Sequence, residues 1–500
     1  MTSDLPLSGR GSTWRIDERM LACVSIVLVG IRLLISMRSR FWLDETHTYW
    51  ATNGGFGDLY SRCVAYPLSI AYTAIFCAIR ELGAHQEWIF RVPSLAAFAL
   101  SVWFLFGLSR RLFDTRVAWF TIAIFIQIAP VIYAATDARS YAIGLLFVIV
   151  STDLLVRLVE SPRGRVAAGY GATAGLVIHF HLLLGAILVV HLLYLGYVFA
   201  NGRRIRVSYL AIAAMAFGVV ASPIALQGLS AAQHASLHLF QPPPTLLELV
   251  QTLAPKRLAV VLLAALFLTL VITRKLGWKG RTWNGSHVAL SALWMFVPPL
   301  LYFLIARVSN FEVFWARYLL SYSPGLALCF GVAIASVEPP LAGYLTLGLI
   351  IANSAMPLLS PAQLRHTYNR GDWGAALAFV EKETAGDHAP VFLRSQFIES
   401  DREEWRTVPL YDSFNFSPLT YYPAMAHWIP VQLTFTPRQA AYLDHYFDTD
   451  VRSARRFLFV SFTGPVSYLP YLEYFRSKVG ASHVRHIGDF DYIDVFEFVK

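Results

Sequence analysis

Arg40-Phe41-Trp42-Leu43-Asp44-Glu45-Thr46-His47-Thr48-Tyr49-Trp50 follows the first long apolar run of the chain. It places two adjacent carboxylates, a histidine and several bulky aromatics directly after Leu21–Met37, a segment that reads as a membrane span. Ionised groups are costly to hold in lipid, so at such a boundary they face water, an opposite charge or a substrate. Arg10, Arg15 and Arg19 precede the span and set its first end inside, which puts Asp44 and Glu45 outside. No small-x-small cleavage site follows the run, so it reads as an uncleaved first helix.

The rest of the chain agrees with a membrane setting. Hydrophobic residues make up 56% of it, more than an ordinary soluble protein carries. They come in blocks separated by short charged or Gly/Pro-containing stretches. The formal net charge is +9, with many arginines flanking apolar blocks, where they fix topology and meet anionic lipid or phosphate. There is no basic-aromatic strip of the kind single-strand binders use, so nucleic acid is not expected as a partner. Cys23, Cys63, Cys77 and Cys329 form no metal spacing and read as packing residues.

Charge asymmetry orders the spans. The run Pro67–Ile79 has 13 residues, short against the roughly 20 needed to cross. Laid along the outer surface, it leaves the basic loop around Arg110-Arg111 inside. Val92–Leu108, Val117–Ala134, Leu145–Val159, Val166–His181, Leu182–Ala200, Val207–Leu226, Leu258–Thr273, His287–Ala306, Tyr318–Val337 and Leu341–Leu358 then alternate across the membrane. Arg163-Gly164-Arg165 and Arg203-Arg204-Ile205-Arg206 fall inside. From about Ser360 charges, tryptophans and turn residues replace the apolar blocks. Asp372–Glu383 reads as a helix, and Arg456–Phe462 and Tyr492–Val499 read as strands. The expected fold is therefore an α-helical polytopic membrane protein with about eleven transmembrane helices, surface helices in the first outer loop and a small C-terminal extracytoplasmic α/β domain. Its expected parts are a cytoplasmic segment 1–20, a membrane domain 21–359 and an outer domain 360–500.

This topology gathers the polar oddities on one side. They are Asp44 and Glu45, then Asp137, Arg139 and Tyr141, then His179 and His181, His234 and His238, Asn310-Phe311-Glu312, and Arg317 with Tyr318. Each also has a plain reading, as a cap, a snorkelling anchor, a salt-bridge partner or a solvated loop histidine. A transporter or flippase of a lipid-linked sugar would place such groups near the midplane of broken helices, often in related halves, and no such halves are visible. One-sided clustering favours an enzyme at the outer face. If the donor is a sugar on a lipid phosphate, a carboxylate takes the acceptor proton and arginines stabilise the leaving phosphate. Asp44 suits the base, and Arg139 and Arg317 suit the phosphate, because guanidinium forks match phosphate oxygens. Glu45 and His179 or His181 would position groups or ligate a divalent ion.

Several motifs resemble those of the GT-C glycosyltransferases. Leu43-Asp44-Glu45 resembles the acidic motif of the family's first loop, and Glu87-Trp88-Ile89-Phe90-Arg91-Val92-Pro93-Ser94 its entry to the next span, followed by Arg110-Arg111-Leu112-Phe113. Tyr133-Ala134-Ala135-Thr136-Asp137-Ala138-Arg139-Ser140-Tyr141 resembles its second-loop pattern, and His179-Phe180-His181 its T-H-Y element. Arg317-Tyr318-Leu319-Leu320 is similar to a late R-Y-L-L-P element, with Ser321 where proline is common, and Asp372-Trp373-Gly374 to the start of the trailing domain. The resemblance points to the bacterial branch related to protein O-mannosyltransferases and to aminoarabinose and core galacturonosyl transferases. It implies a polyprenyl-phosphate sugar donor, inverting transfer and the first-loop Asp44 as base. It also implies a multi-pass cell (inner) membrane protein with its site on the periplasmic side. The acceptor would be a glycan, lipid or protein, and some members use a divalent metal such as Mg, Mn or Zn.

Overall fold

The computed structural model describes residues 18–66, 68–224, 243–254, 281–309, 313–336, 341–359, 371–395, 397–402, 404–411, 413–463, 466–479 and 484–500. The first apolar run forms α1 (Glu18–Ser36), and the loop after it folds into α2 (Leu43–Ala51), α3 (Phe56–Ala65) and α4 (Ile70–Glu81). The chain continues through α5 (Glu87–Leu112), α6 (Thr115–Phe125), α7 (Ala129–Ala135), α8 (Tyr141–Glu160), α9 (Gly164–Phe180), α10 (Ala186–Ala200) and α11 (Val207–Ala221). Later apolar helices span Gly285–Ser309, Ser323–Ala335 and Leu341–Ala355. Helices dominate because a chain in lipid must satisfy its backbone polar groups within each segment.

Among the described residues seven helices are long and apolar enough to cross a membrane, or eight if one bent pair counts as a span. The expectation of about eleven also counted shorter segments, such as α9 with 17 residues and Gly343–Leu359. The expected span Leu258–Thr273 lies outside the described residues, as do His234, His238 and Asn310-Phe311-Glu312. The expected span Val117–Ala134 is bent: α6 and α7 together are apolar enough to cross but meet at 75°. Pro130 restarts the helix in the first turn of α7, where a missing N–H costs nothing. Gln127, at the break, donates to Ser354 Oγ at 2.5 Å and accepts from Asn353 at 3.0 Å, so its amide is satisfied inside the bundle. α4 is a 12-residue helix capped by Ser69, too short to cross.

The most buried spans are Tyr318–Ala335, at 72%, and α8, at 67%, against 11% for Val207–Ile224. A Cβ on Gly171 of α9 would lie 2.0 Å from the carbonyl oxygen of Ala213, so only glycine lets α9 and α11 pack this closely.

The C-terminal part holds one five-stranded sheet in the order β2-β1-β3-β5-β4. The strands are β1 (Pro390–Arg394), β2 (His427–Pro430), β3 (Arg456–Phe462), β4 (Val484–Asp489) and β5 (Ile493–Val499). β1 runs parallel to β2 and β3, and β5 runs antiparallel to β3 and β4. Alternating residues send Phe392, Phe457, Phe459 and Phe498 to one face, beneath Leu443, Tyr471 and Phe475. The opposite face, Val391, Leu393, Leu458, Val460, Ile493 and Val495, shares a core with Leu43, Trp50 and Leu59 of α2 and α3. The expected helix over 372–383 appears as Trp373–Thr384, with the Asp372 carboxylate accepting from the Ala375 N–H at 2.9 Å. The sheet is thus built onto the loop that carries Asp44 and Glu45.

Candidate active site

Adjacent residues on a helix point about 100° apart, so Asp44 and Glu45 diverge as α2 begins. Glu45 turns inward and is fully buried. Its Oε1 accepts from Arg91 Nε at 2.7 Å and from the Ala138 N–H at 2.7 Å. Its Oε2 accepts from Arg91 Nη2 at 2.5 Å and from the Trp42 N–H at 3.2 Å, closing the first turn of α2. Arg91 is equally buried. It also donates to the carbonyls of Met37 at 2.9 Å, Ser39 at 2.5 Å and Arg40 at 3.0 Å. A bidentate pair with its remaining donors and acceptors used has no capacity left for a substrate. In the structure Glu45 locks α2 to α5 and to the turn before α8.

Asp44 faces the other way, and its side chain keeps 22% of its exposure. Its Oδ2 lies 3.2 Å from Arg317 Nη1 and 3.9 Å from Arg139 Nη2. Arg139 also donates to the Asp44 carbonyl at 3.0 Å and to Thr48 Oγ1 at 3.2 Å. Arg317 reaches the Tyr318 hydroxyl at 3.4 Å. Residues 273 and 95 positions away in sequence converge on one carboxylate. Two guanidiniums against one carboxylate leave an excess positive charge, which attracts an anion.

Asp137 is fully buried between these groups, and its Oδ1 accepts from the Trp42 indole at 3.0 Å. Its Oδ2 has no hydrogen-bond partner. Burial, followed by the nearby charge of Glu45, pushes this carboxyl well above the usual range.

The His181 ring lies between those of Tyr141 and Tyr318, tilted by 34° and 37° with centroids 4.8 and 5.5 Å away. The three rings make a wall beside the arginine pair. His179 lies apart from that ladder in role: its carbonyl accepts from Ser69 at 3.0 Å, tying α9 to the cap of α4. The Nδ1 atoms of His179 and His181 are buried without partners. No three His, Cys, Asp or Glu side chains converge among the described residues.

The sequence-predicted residues Asp44, Arg139, Arg317, Tyr141, His181 and Tyr318 come together, with Asp137 beneath them. Sequence reasoning missed the partnership of Arg91 with Glu45. Its signal was an arginine at the head of an apolar span, a costly position that needs a buried partner.

Comparison with known proteins finds similarity in part of the sequence and in the fold. Residues 67–226 match the family model for dolichyl-phosphate-mannose-protein mannosyltransferase. The solved structure of ArnT from Cupriavidus metallidurans bound to undecaprenyl phosphate aligns with a TM-score of 0.56 at 13% identity, over 96% of this chain and 97% of that one. ArnT in the apo state gives the same TM-score of 0.56, identity of 13% and coverages of 96% and 97%. The arabinofuranosyltransferase AftD from mycobacteria aligns over 97% of this chain and 40% of that one, at 12% identity and a TM-score of 0.46. No curated protein sequence matches. Residues 67–226 are thus similar to the mannosyltransferase family model, and the chain shares its fold with ArnT over 96% of its length.

Proposed function

We propose that the protein transfers a sugar from a polyprenyl-phosphate donor to a glycan, lipid or protein acceptor at the extracytoplasmic face of the cell (inner) membrane, with inversion. Asp44 is the general base. The observation that carries this reading is the Asp44 carboxylate set between Arg317 at 3.2 Å and Arg139 at 3.9 Å. The ArnT match supports the donor class, since that protein is solved with undecaprenyl phosphate bound.

The steps follow from the arrangement. The donor phosphate enters between Arg139 and Arg317 and draws their charge from Asp44, which frees the carboxylate. An acceptor hydroxyl attacks the anomeric carbon as Asp44 takes its proton. The bond between that carbon and the phosphate oxygen breaks, and its electron pair stays on the lipid phosphate. The two guanidiniums stabilise this developing charge. The wall of Tyr141, His181 and Tyr318 shields the sugar from water.

The test is Asp44→Asn in a deletion strain complemented with the full chain. Mass spectrometry of surface glycans and lipids names the sugar and acceptor and reads their loss. Loss of product on the order of a hundredfold or more is the expected result for a missing general base. Undecaprenyl phosphate should still bind the purified variant, at least as tightly as it binds the wild type. Full product with Asp44→Asn overturns the assignment of the base. Unchanged surface chemistry in the deletion strain itself would favour transport over transfer.

A further inference from the structure

The C-terminal sheet domain shares a core with α2 and also reaches the start of that helix by specific hydrogen bonds. Tyr422 lies at the end of the short helix Ser417–Tyr421. Its hydroxyl accepts from the Phe41 N–H at 2.7 Å and donates to Glu87 Oε1 at 3.1 Å. These partners are 381 and 335 residues away. Phe41 is fully buried and stands two residues before α2. The peptide unit joining Arg40 to Phe41 is thus held from both sides: Arg91 Nη2 takes its carbonyl at 3.0 Å, and Tyr422 takes its N–H. Glu87 and Arg91 lie four residues apart on one face of α5, so the same helix turn supports both grips. Neighbouring Tyr421 closes the joint, with its ring 4.5 Å from Phe41 and 4.9 Å from Tyr49 and its hydroxyl donating to the His85 carbonyl at 2.8 Å.

We propose that Tyr422 is a positioning residue for the transfer: through the Phe41 peptide it sets where α2 begins, and so where Asp44 stands between Arg139 and Arg317. The C-terminal domain then acts on catalysis by fixing the base, whatever else it binds. The proposal rests on Asp44 being the base. It adds a residue that touches neither donor nor acceptor. α2 is only 9 residues long and begins two residues after Phe41, so a small rotation of the 40–41 peptide displaces the Asp44 carboxylate. Displacements of about 1 Å cost on the order of a hundredfold in rate when the base must meet the acceptor proton.

Tyr422→Phe removes one oxygen and keeps the ring. Tyr474→Phe is the control: its hydroxyl donates to Asp444 at 2.7 Å within the C-terminal domain, away from α2. Three readouts are taken on the full chain: product in complemented deletion cells at matched protein level, binding of undecaprenyl phosphate to purified protein, and amide hydrogen exchange over residues 41–51. Tyr422→Phe is expected to lower product by about tenfold or more, leave undecaprenyl phosphate binding within about twofold and speed exchange in 41–51. Tyr474→Phe should match the wild type in all three. Glu87→Gln keeps an acceptor for the phenol and should retain most of the activity. Unchanged product and exchange in Tyr422→Phe overturn the proposal, as does an equal loss in both tyrosine variants, which would report general stability. If the wild type makes no product, the transferase reading falls, and exchange over 41–51 still decides whether Tyr422 holds α2.

Discussion

Removing one partner of a buried ion pair leaves the other charge uncompensated, which costs more than the pair itself contributes. Glu45 and Arg91 are both fully buried, so Glu45→Gln should destabilise the fold by roughly 3–5 kcal/mol, read as a lower melting temperature in detergent. Asp44→Asn should leave melting nearly unchanged, because Asp44 is partly exposed and its arginines can turn to water. Two neighbouring carboxylates thus divide their effects: one change removes activity and the other removes stability. In sequence the pair looks alike. The direction in which each points, set by the 100° step of the helix, is what separates them.

At the scale of elements, the seam between α2 and the C-terminal domain contains a titrating group. His47 lies one turn after Asp44 and packs against Phe397 at 5.0 Å, Phe414 at 5.1 Å, Trp50 at 5.8 Å and Tyr66 at 6.2 Å. Burial, then the charge of Arg139, lowers its pKa well below the ordinary value of 6.5. The sign follows directly. The unfolded chain takes up a proton near pH 6.5, while the folded chain keeps His47 neutral until well below that. Its contribution to stability is therefore present above about pH 6.5 and lost as the pH falls towards the folded value, by up to about 1.4 kcal/mol per unit. Melting should drop across that window, and His47→Phe should flatten this part of the curve. An unchanged curve in His47→Phe would show that other groups set the acid sensitivity. The bend between α6 and α7 belongs to the same scale: hydropathy ran through it, and Pro130 with Gln127 decided it.

At the scale of the whole molecule, the sheet domain and α2 share one core, so they lie on one side of the membrane. A reporter fused after Lys500 should read on the same side as a tag in the loop carrying Gly54, and one placed in the loop carrying Arg203 on the other. Opposite sides for the first two would overturn this arrangement. Much was legible in the chain itself. Hydropathy sets the apolar helices, since in lipid the backbone has no other way to bond. Alternation and caps set β3, β5 and the helix after Asp372. The polar residues of the site were legible as types, because charge at a membrane edge is costly and must be explained. What sequence left undecided was pairing. Glu45 chose Arg91, Asp44 chose Arg317 and Arg139, and Phe41 chose Tyr422, across separations of 46, 273, 95 and 381 residues. Local spacing carries no information about such contacts, because they form only when packed helices bring distant turns together. The tertiary structure therefore decided which carboxylate is buried against Arg91 and which one faces Arg139 and Arg317.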